Sequence, residues 1–493
     1  MIVSAGYEGK KFILDIAHAR GVRSIVIDEP TSWANGLEKD GLIDKFIGMD
    51  MNRADSILVP EIAAHLEQYT TATGHKIDGV CSFVELAIET AARLAEALRL
   101  PGPASKAVAL ARSKPDTRDC IEAAGLPKVT HYKITRRSDV AEAVRAVSFP
   151  AILKPVSGVS SLGVLKVERP EDLLRVYDES CKYLQSVVVG AGGLLVKAEA
   201  PLAAGEAPRS TAQERIGTFV VEEFLDGHEV DIDIVMHEGR CIYRLLTDNG
   251  PCAPPYFSES WSLVPSVQLT EAQVRETEQL AVDAALALGL THGVFHVEGK
   301  YTSRGPRLIE FNARLGGGEV YETNLRATGV CLVVEALLLA CGAGRRAVLR
   351  APGAPLLRSV AGQRVIAPRS GSLADVGAFL DKYRRLPGVS WMSPKVADGQ
   401  RIAGPEEGMP DWVCIFLIDL PPGRGQEALD QCLAIERAMT AELLEVMSPQ
   451  PPAAPAAPAL PPAAAVEGGV HPPRRTHSRS WPSEPLETHH LEA

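Results

Sequence analysis

Two stretches of alternating apolar and polar residues, Val294-Phe295-His296-Val297-Glu298-Gly299-Lys300 and Arg307-Leu308-Ile309-Glu310-Phe311-Asn312-Ala313-Arg314, flank the quartet Ser303-Arg304-Gly305-Pro306. Period-two alternation on both sides of turn-forming residues predicts a β-hairpin. Side chains alternate faces along a strand, so His296 and Glu298 share one face of the first arm and Glu310, Asn312 and Arg314 one face of the second. Folding about Arg304 sets Glu298 opposite Glu310 and His296 opposite Asn312.

The remaining pattern predicts strands and helices in alternation. Met1–Ser4, Lys10–Arg20 and Arg23–Asp28 read as strand, helix, strand, the order of a parallel α/β unit. Gly79–Phe83 reads as a strand and Glu85–Leu98 as a helix stopped by Pro101-Gly102-Pro103, so residues 1–103 form a first domain. Ala107–Ala124 has helical period and carries Lys114 and Arg118 one turn apart on one face. The strand Ala151–Lys154 runs into a loop of small residues, Pro155–Val164. Thr218–Leu225 and His228–Val235 are strands around the turn Asp226-Gly227, the second with Glu229, Asp231 and Asp233 on one face. Thr270-Glu271-Ala272-Gln273 is a capping box that opens a helix ending at Gly289. Val330–Cys341 reads as a buried helix closed by Gly342. Further on, Val360–Ile366 and Trp412–Leu420 read as strands, and helices are expected after the cap Ser372–Asp375 and over Gly425–Met447.

Composition narrows the classes. With 493 residues, 46% hydrophobic and 23% charged, the chain is long enough for several globular domains. A net charge of −11 argues against a general nucleic-acid binder. Nine scattered cysteines with no C-x-x-C pair suit reduced thiols in a cytoplasmic protein. The opening residues lack a signal-peptide pattern, and the most apolar run, Val330–Cys341, is too short to span a bilayer about 30 Å thick. Residues 190–217, rich in Ala, Gly, Pro and Glu, read as a mobile insertion, and the Pro/Ala-rich residues 448–493 as a disordered tail.

Three features carry chemistry. Carboxylates directly opposed in a ladder repel, so Glu298 and Glu310, backed by the amide oxygen of Asn312, call for a cation. Oxygen-only donors suit Mg²⁺, which keeps waters and is shared with substrate phosphates. Arg314 is then placed to grip a phosphate or carboxylate. An ordinary exposed hairpin with an acidic solvent face fits the same short motif. Lys154 is a point charge at the base of a loop whose N–H groups suit phosphates, although a hairpin turn after a surface lysine fits equally. A dinucleotide fold is disfavoured, because Ser4 stands where G-x-G-x-x-G requires its first glycine.

In this order, the basic helix, the strand lysine before a small-residue loop, the acidic hinge and the carboxylate hairpin resemble the ATP-grasp superfamily of carboxylate–amine ligases. The resemblance implies an α/β and α+β multidomain protein. Its parts are a Rossmann-like pre-ATP-grasp domain over 1–103, a first ATP-grasp lobe over 104–220, a second lobe with the metal hairpin over 221–350 and a C-terminal α+β subdomain over 351–447. It implies that Lys114 and Lys154 reach the ATP phosphates and that Ser157, Ser160, Ser161 and Gly163 belong to the loop closing over them. Glu222, Glu223 and Leu225 would hold adenine, largely through backbone groups, and Glu229 the ribose. Glu298, Glu310 and Asn312 would bind Mg²⁺ or Mn²⁺, with Arg314 and Lys154 as catalytic residues.

Within the superfamily, Thr247–Pro251, Pro255–Glu259, Gly293–Glu298 and Gly305–Arg314 are similar to the carnosine synthase and L-amino acid ligase families, while Leu315–Thr328 departs from them. This likeness implies ADP-forming ligation of two amino acids, β-alanine and L-histidine for example, by a homo-oligomer with no nucleic-acid or membrane partner. Two alternatives stay open: a ligase or carboxylase for another carboxylate, and a non-catalytic ATP-binding protein. Nothing resembles the biotinyl carrier that a carboxylase would serve, and no metal ligand or phosphate lysine is lost.

Overall fold

The computed structural model describes residues 1–156, 163–185, 188–189, 195–196, 218–252, 257, 259–343, 354–407 and 410–449. Ser157, Ser160 and Ser161, nearly all of 190–217 and the tail beyond 449 lie outside the described residues.

Near the N-terminus, strands Ile2–Val3, Ile25–Asp28 and Lys45–Gly48 form a parallel sheet in that order. The strand expected over Gly79–Phe83 is reduced to a single bridge between Cys81 and Ile2. The Ser82 hydroxyl donates to the Val3 carbonyl at 2.7 Å and accepts from the Val84 N–H at 3.2 Å, a local turn that competes with a longer ladder. The helix expected over Ala107–Ala124 is two helices, Ser105–Arg112 and Lys114–Ala123, broken at an extended Ser113. Pro115 has no N–H for the Ala111 carbonyl, and the Thr117 hydroxyl reaches that carbonyl at 3.3 Å and the Leu110 carbonyl at 2.9 Å. The break places Lys114 at the start of the second helix.

A four-stranded antiparallel sheet follows, in the order His131–Ile134, Phe219–Glu223, Ala151–Pro155, Leu165–Val167. The largest sheet has eight antiparallel strands: Gly305–Asn312, Gly293–Thr302, His228–His237, Arg240–Asn249, Trp261–Val264, Ser359–Ile366, Trp412–Leu420 and Val389–Pro394. Residues expected to form a separate C-terminal unit thus extend the sheet that holds the hairpin. The helix Glu271–Leu288 carries the expected capping box at Thr270 and a left-handed Gly289. It covers one face of the sheet, packing on Val230, Ile232, Phe295, Val297 and Phe311. Alternation therefore sends Asp231, Asp233, His296 and Glu298 to the other face. The helix Val320–Thr328 has no side-chain N-cap and was not expected from the sequence.

The hairpin pairs Glu298 with Glu310 and His296 with Asn312, as the alternation predicts, but by a different route. Its turn is the two residues Ser303 and Arg304, since Thr302 pairs with Gly305. Continued regularly, that register would oppose Glu298 to Ile309. A bulge shifts it between Glu298 and Gly299, leaving Ile309 as the extra residue. Bulges redirect the groups at their centre, and the carbonyl of Ile309 is put to use below.

Gly227, in the turn between the two lobes, has φ +84°, and a Cβ there would collide with the carbonyl oxygen of Tyr301. Gly239 has φ +77° with nothing within 4 Å of a built Cβ. Gly227→Ala is expected to cost at least about 2 kcal/mol by strain plus clash, and Gly239→Ala only about 1 kcal/mol. Urea unfolding of the two variants checks the difference; equal losses would remove the clash from the account.

Among the described residues no single helix is long and apolar enough to cross a membrane.

Candidate active site

The polar face of the hairpin continues into the neighbouring strand. Asp231 pairs with Glu298 and Glu298 with Glu310, so three carboxylates lie in one row across three strands; Asp233, His296 and Asn312 form the next row. All six are wholly or largely buried apart from part of Glu298 and Glu310. Such a row stands only if cations divide it.

His296 supplies one. Its Nδ1 lies 2.8 Å from Asp233 Oδ1 and its Nε2 3.8 Å from Asp231 Oδ2. Burial works against the imidazolium, but the two aspartates outweigh it and push the group up to about 10. Asn324 Nδ2 donates to the second oxygen of Asp233 at 2.7 Å, fixing that carboxylate from behind. Lys114 supplies the second cation, donating to Glu310 Oε1 at 2.9 Å. Burial raises the Glu310 carboxyl, yet Lys114 holds it below the ordinary range.

Glu298 is left over. It accepts from Asn312 Nδ2 at 3.1 Å, and burial together with Glu310 and Asp231 pushes its carboxyl up to about 8. A buried carboxyl crowded by others is what a hard cation relieves, so the Glu298–Glu310 pair suits an oxygen-liganded divalent ion, while Asn312 turns its Nδ2 to Glu298 and its Oδ1 to Arg314 and would have to turn its amide over to join as an oxygen donor. Among the described residues no three His, Cys, Asp or Glu side chains converge as a ready metal cage. An ion here would complete its shell with water and phosphate, as Mg²⁺ does.

The redirected Ile309 carbonyl accepts from Arg118 at 2.6 Å and from Lys154 Nζ at 3.4 Å. Both cations also hold Glu222: Arg118 through Nε at 3.0 Å and its terminal nitrogen at 3.2 Å, Lys154 at 2.7 Å. The residues are 3%, 5% and 4% exposed for Arg118, Lys154 and Glu222, so this is a dry triad, tied to the large sheet through the Ile309 carbonyl. Burial alone would raise the Glu222 carboxyl, but Arg118 and Lys154 bring it down to about 2. Lys154 is pushed down chiefly by burial despite Glu222, with Arg118 and Lys114 adding to the effect.

The structure therefore commits several expected site residues to protein partners. The carboxylate of Glu222 belongs to the triad, which leaves its backbone, the route the resemblance implies, for an adenine hinge. Glu223 accepts from the Thr130 N–H at 2.9 Å and from Arg304 at 2.7 Å, and its own N–H donates to the Thr130 carbonyl. The Leu225 carbonyl accepts from Lys300 at 3.5 Å. Glu229 lies 3.7 Å from Lys300 Nζ and accepts from Cys252 Sγ at 3.3 Å, its carboxyl raised by burial. Gly163, the one described member of the expected phosphate-loop residues, has φ +75°. Arg314 follows the end of its strand and turns towards the N-terminal region: it donates to Glu85 Oε2 at 2.8 Å, to the Leu315 carbonyl at 2.8 Å and to Asn312 Oδ1 at 3.3 Å. Lys10 donates to the Phe83 carbonyl nearby; burial and then Arg314 push it down to about 7.

Sequence reasoning placed Asp231 and Asp233 on one face but did not join that face to the hairpin. The signal was the long alternating run that makes His228–His237 a strand long enough to pair along the whole first arm.

Known proteins resemble this chain in sequence and in fold. The ATP-grasp N-terminal domain family matches residues 14–102, and the ATP-grasp domain family residues 195–322. Human (Homo sapiens) carnosine synthase 1 is 30% identical over 354 residues, 69% of this chain but 39% of that protein. Alanine–anticapsin ligase of Bacillus subtilis (strain 168) is 27% identical over 281 residues, 54% of this chain and 53% of the relative. The chain thus spans well under two thirds of the curated relatives it matches. The crystal structure of an L-amino acid ligase from Bacillus licheniformis superposes with a TM-score of 0.67 at 19% identity, covering 91% of this chain and 97% of that one, a likeness of fold. The chain thus contains an ATP-grasp N-terminal domain and an ATP-grasp domain, is homologous to carnosine synthase 1 and alanine–anticapsin ligase, and shares the fold of an L-amino acid ligase.

Proposed function

We propose that the chain is an ATP-dependent ligase that joins two amino acids through an acyl phosphate. The observation that carries this reading is the row Asp231–Glu298–Glu310, in which Lys114 answers one carboxylate and Glu298 is left pressing for a cation. On this reading Glu298, Glu310 and Asn312 hold Mg²⁺ or Mn²⁺, which when bound neutralises charge on the β- and γ-phosphates. Two of the three donors of Lys154 go to Glu222 and to Ile309, so the third is its means of meeting a phosphate. Lys114, at the head of its helix, would serve the same phosphates from the opposite side of Glu310.

One substrate carboxylate oxygen then attacks the γ-phosphorus and ADP leaves. The amine of the second amino acid attacks the resulting acyl carbon, phosphate leaves, and the amine proton is lost as the amide forms. Positioning and fixed charge supply most of such catalysis. Arg314, held 3.3 Å from Asn312, stands at the border between the metal hairpin and Glu85, where charge on an acyl phosphate could be offset. Glu223 and Leu225 on the hinge, with Glu229 beside it, remain the proposed adenine and ribose contacts. β-Alanine and L-histidine are the first substrate pair to try, and a homo-oligomer is the assembly to expect.

The test is ADP release from MgATP with single amino acids and with pairs, products read by mass. Pair-dependent ADP release with the matching dipeptide mass is expected. ATP binding without turnover across the panel would move the reading to another carboxylate or to a binding role.

A further inference from the structure

On the same side of the large sheet, a second polar cluster borders the first. Arg364, on the strand Ser359–Ile366, is 5% exposed. One terminal guanidinium nitrogen lies 2.6 Å from Glu259 Oε2 and 3.1 Å from Glu319 Oε1, while its Nε and other terminal nitrogen are buried with no hydrogen-bond partner among the described residues. Glu319 is 2% exposed; its Oε1 accepts from the Ser262 hydroxyl at 3.3 Å, and its Oε2 is also buried, with no hydrogen-bond partner among the described residues. Trp412 lies 5.5 Å from the guanidinium carbon, and the charge of Lys395 is felt by both Glu319 and Arg364. Unpaired buried donors and acceptors are costly, and native proteins retain few of them without a reason.

The tri-glycine that leaves the hairpin runs between the two clusters. A Cβ on Gly316 would lie 2.8 Å from His296 Nδ1, and one on Gly318 3.7 Å from the guanidinium of Arg364, while Gly317 has nothing within 4 Å. The tri-glycine backbone thus passes close to both clusters and puts no side chain of its own between them. Glu259 links the two sides: its charge acts on Asp231 and Glu298 as well as on Arg364. With Arg364 and Lys395 set against Glu259 and Glu319, the cluster carries no net charge yet presents spare donors and a spare acceptor. Neither a simple anion nor a simple cation complements that set, whereas a zwitterion does.

From this geometry we infer that the Arg364–Glu319–Glu259 cluster is the recognition site for the zwitterionic head of an amino-acid substrate. The guanidinium takes the carboxylate and the glutamates the ammonium. The inference rests on the ligase reading, and within it the bound amino acid is the amine donor, the substrate whose carboxylate survives the reaction. Arg364 and Glu319 are then specificity-determining residues, and Arg364→Lys, which keeps the charge but loses the planar fork, is not conservative.

The test uses the full chain with MgATP and the amino-acid pair that gives ADP release, comparing wild type, Arg364→Lys and Glu319→Gln. Expected is a tenfold or larger rise in KM for the amine donor in both variants, with the KM values for MgATP and for the acyl donor within twofold of wild type. Wild type, which needs no substitution, should also discriminate at least tenfold against the carboxamide of the amine donor, and Arg364→Lys should lose that preference. Unchanged KM for the amine donor, or equal use of acid and carboxamide by wild type, overturns the inference while leaving the ligase standing. No amino-acid-dependent ADP release from wild type overturns the ligase reading and this inference with it.

Discussion

Glu310→Gln is expected to abolish ATP turnover, a loss of a thousandfold or more, while the chain stays folded. Glu310 sits where a cationic side chain and the proposed ion site meet: Lys114 holds one of its oxygens at 2.9 Å, and Glu298 faces it across the ladder. An amide of the same size still accepts from Lys114, so packing survives, but the charge that would hold a divalent ion against phosphates is gone. Losses of that order follow when preorganised charge or a metal ligand is removed from a phosphoryl-transfer site. A coupled ADP-release assay alongside a thermal melt separates the two effects. Wild-type turnover in this variant would sink the assignment of the hairpin as the reaction centre.

What could be read in the sequence followed the reach of each signal. Alternation is local, so the two hairpin arms and the shared face of His296 and Glu298 were legible. The capping box at Thr270 and the Asp375 cap, whose carboxylate accepts from the Ala378 N–H at 2.7 Å, are local too. The opposition of Glu298 and Glu310 was legible although its mechanism was not, because a two-residue turn and a bulge at Ile309 together restore the register that a simple fold about Arg304 gives. Pro115 was visible, but the helical period around it outweighed it, and the break at Ser113 went unread.

Long-range partnerships left no such trace. Asp231 meets Glu298, and Arg118 meets Glu222 across 104 positions; only folding brings them together. The cluster of Arg364 is the extreme case, drawing Glu259, Glu319, Arg364 and Lys395 from segments that show no shared pattern. Resemblance to a family gave Glu222 a place in an adenine hinge largely through its backbone, and what no sequence pattern gave is the occupation of its carboxylate, a buried clamp on Arg118 and Lys154.

That clamp yields the second large effect. Glu222→Ala should destabilise the chain by about 3–5 kcal/mol, since it leaves Arg118 and Lys154 buried with their counter-charge removed. The halves of the triad are unequal: Arg118 makes a two-pronged contact, whereas Lys154 is pushed down by burial and by its cationic neighbours, so most of the loss should be traceable to Arg118. The pH dependence has a fixed sign. A carboxyl held at about 2 in the folded protein against an ordinary 4.5 stabilises fully above 4.5 and loses that contribution as pH falls towards 2, on the order of 3 kcal/mol in all. Urea midpoints measured at pH 6 and pH 3 should therefore converge between wild type and Glu222→Ala as the medium becomes acidic. Replacing all three members with Met, an apolar set of comparable length, should recover much of the stability, with ATP turnover still lost through Lys154. A gap between wild type and Glu222→Ala that stayed constant with pH would show that the loss arises from packing and not from charge.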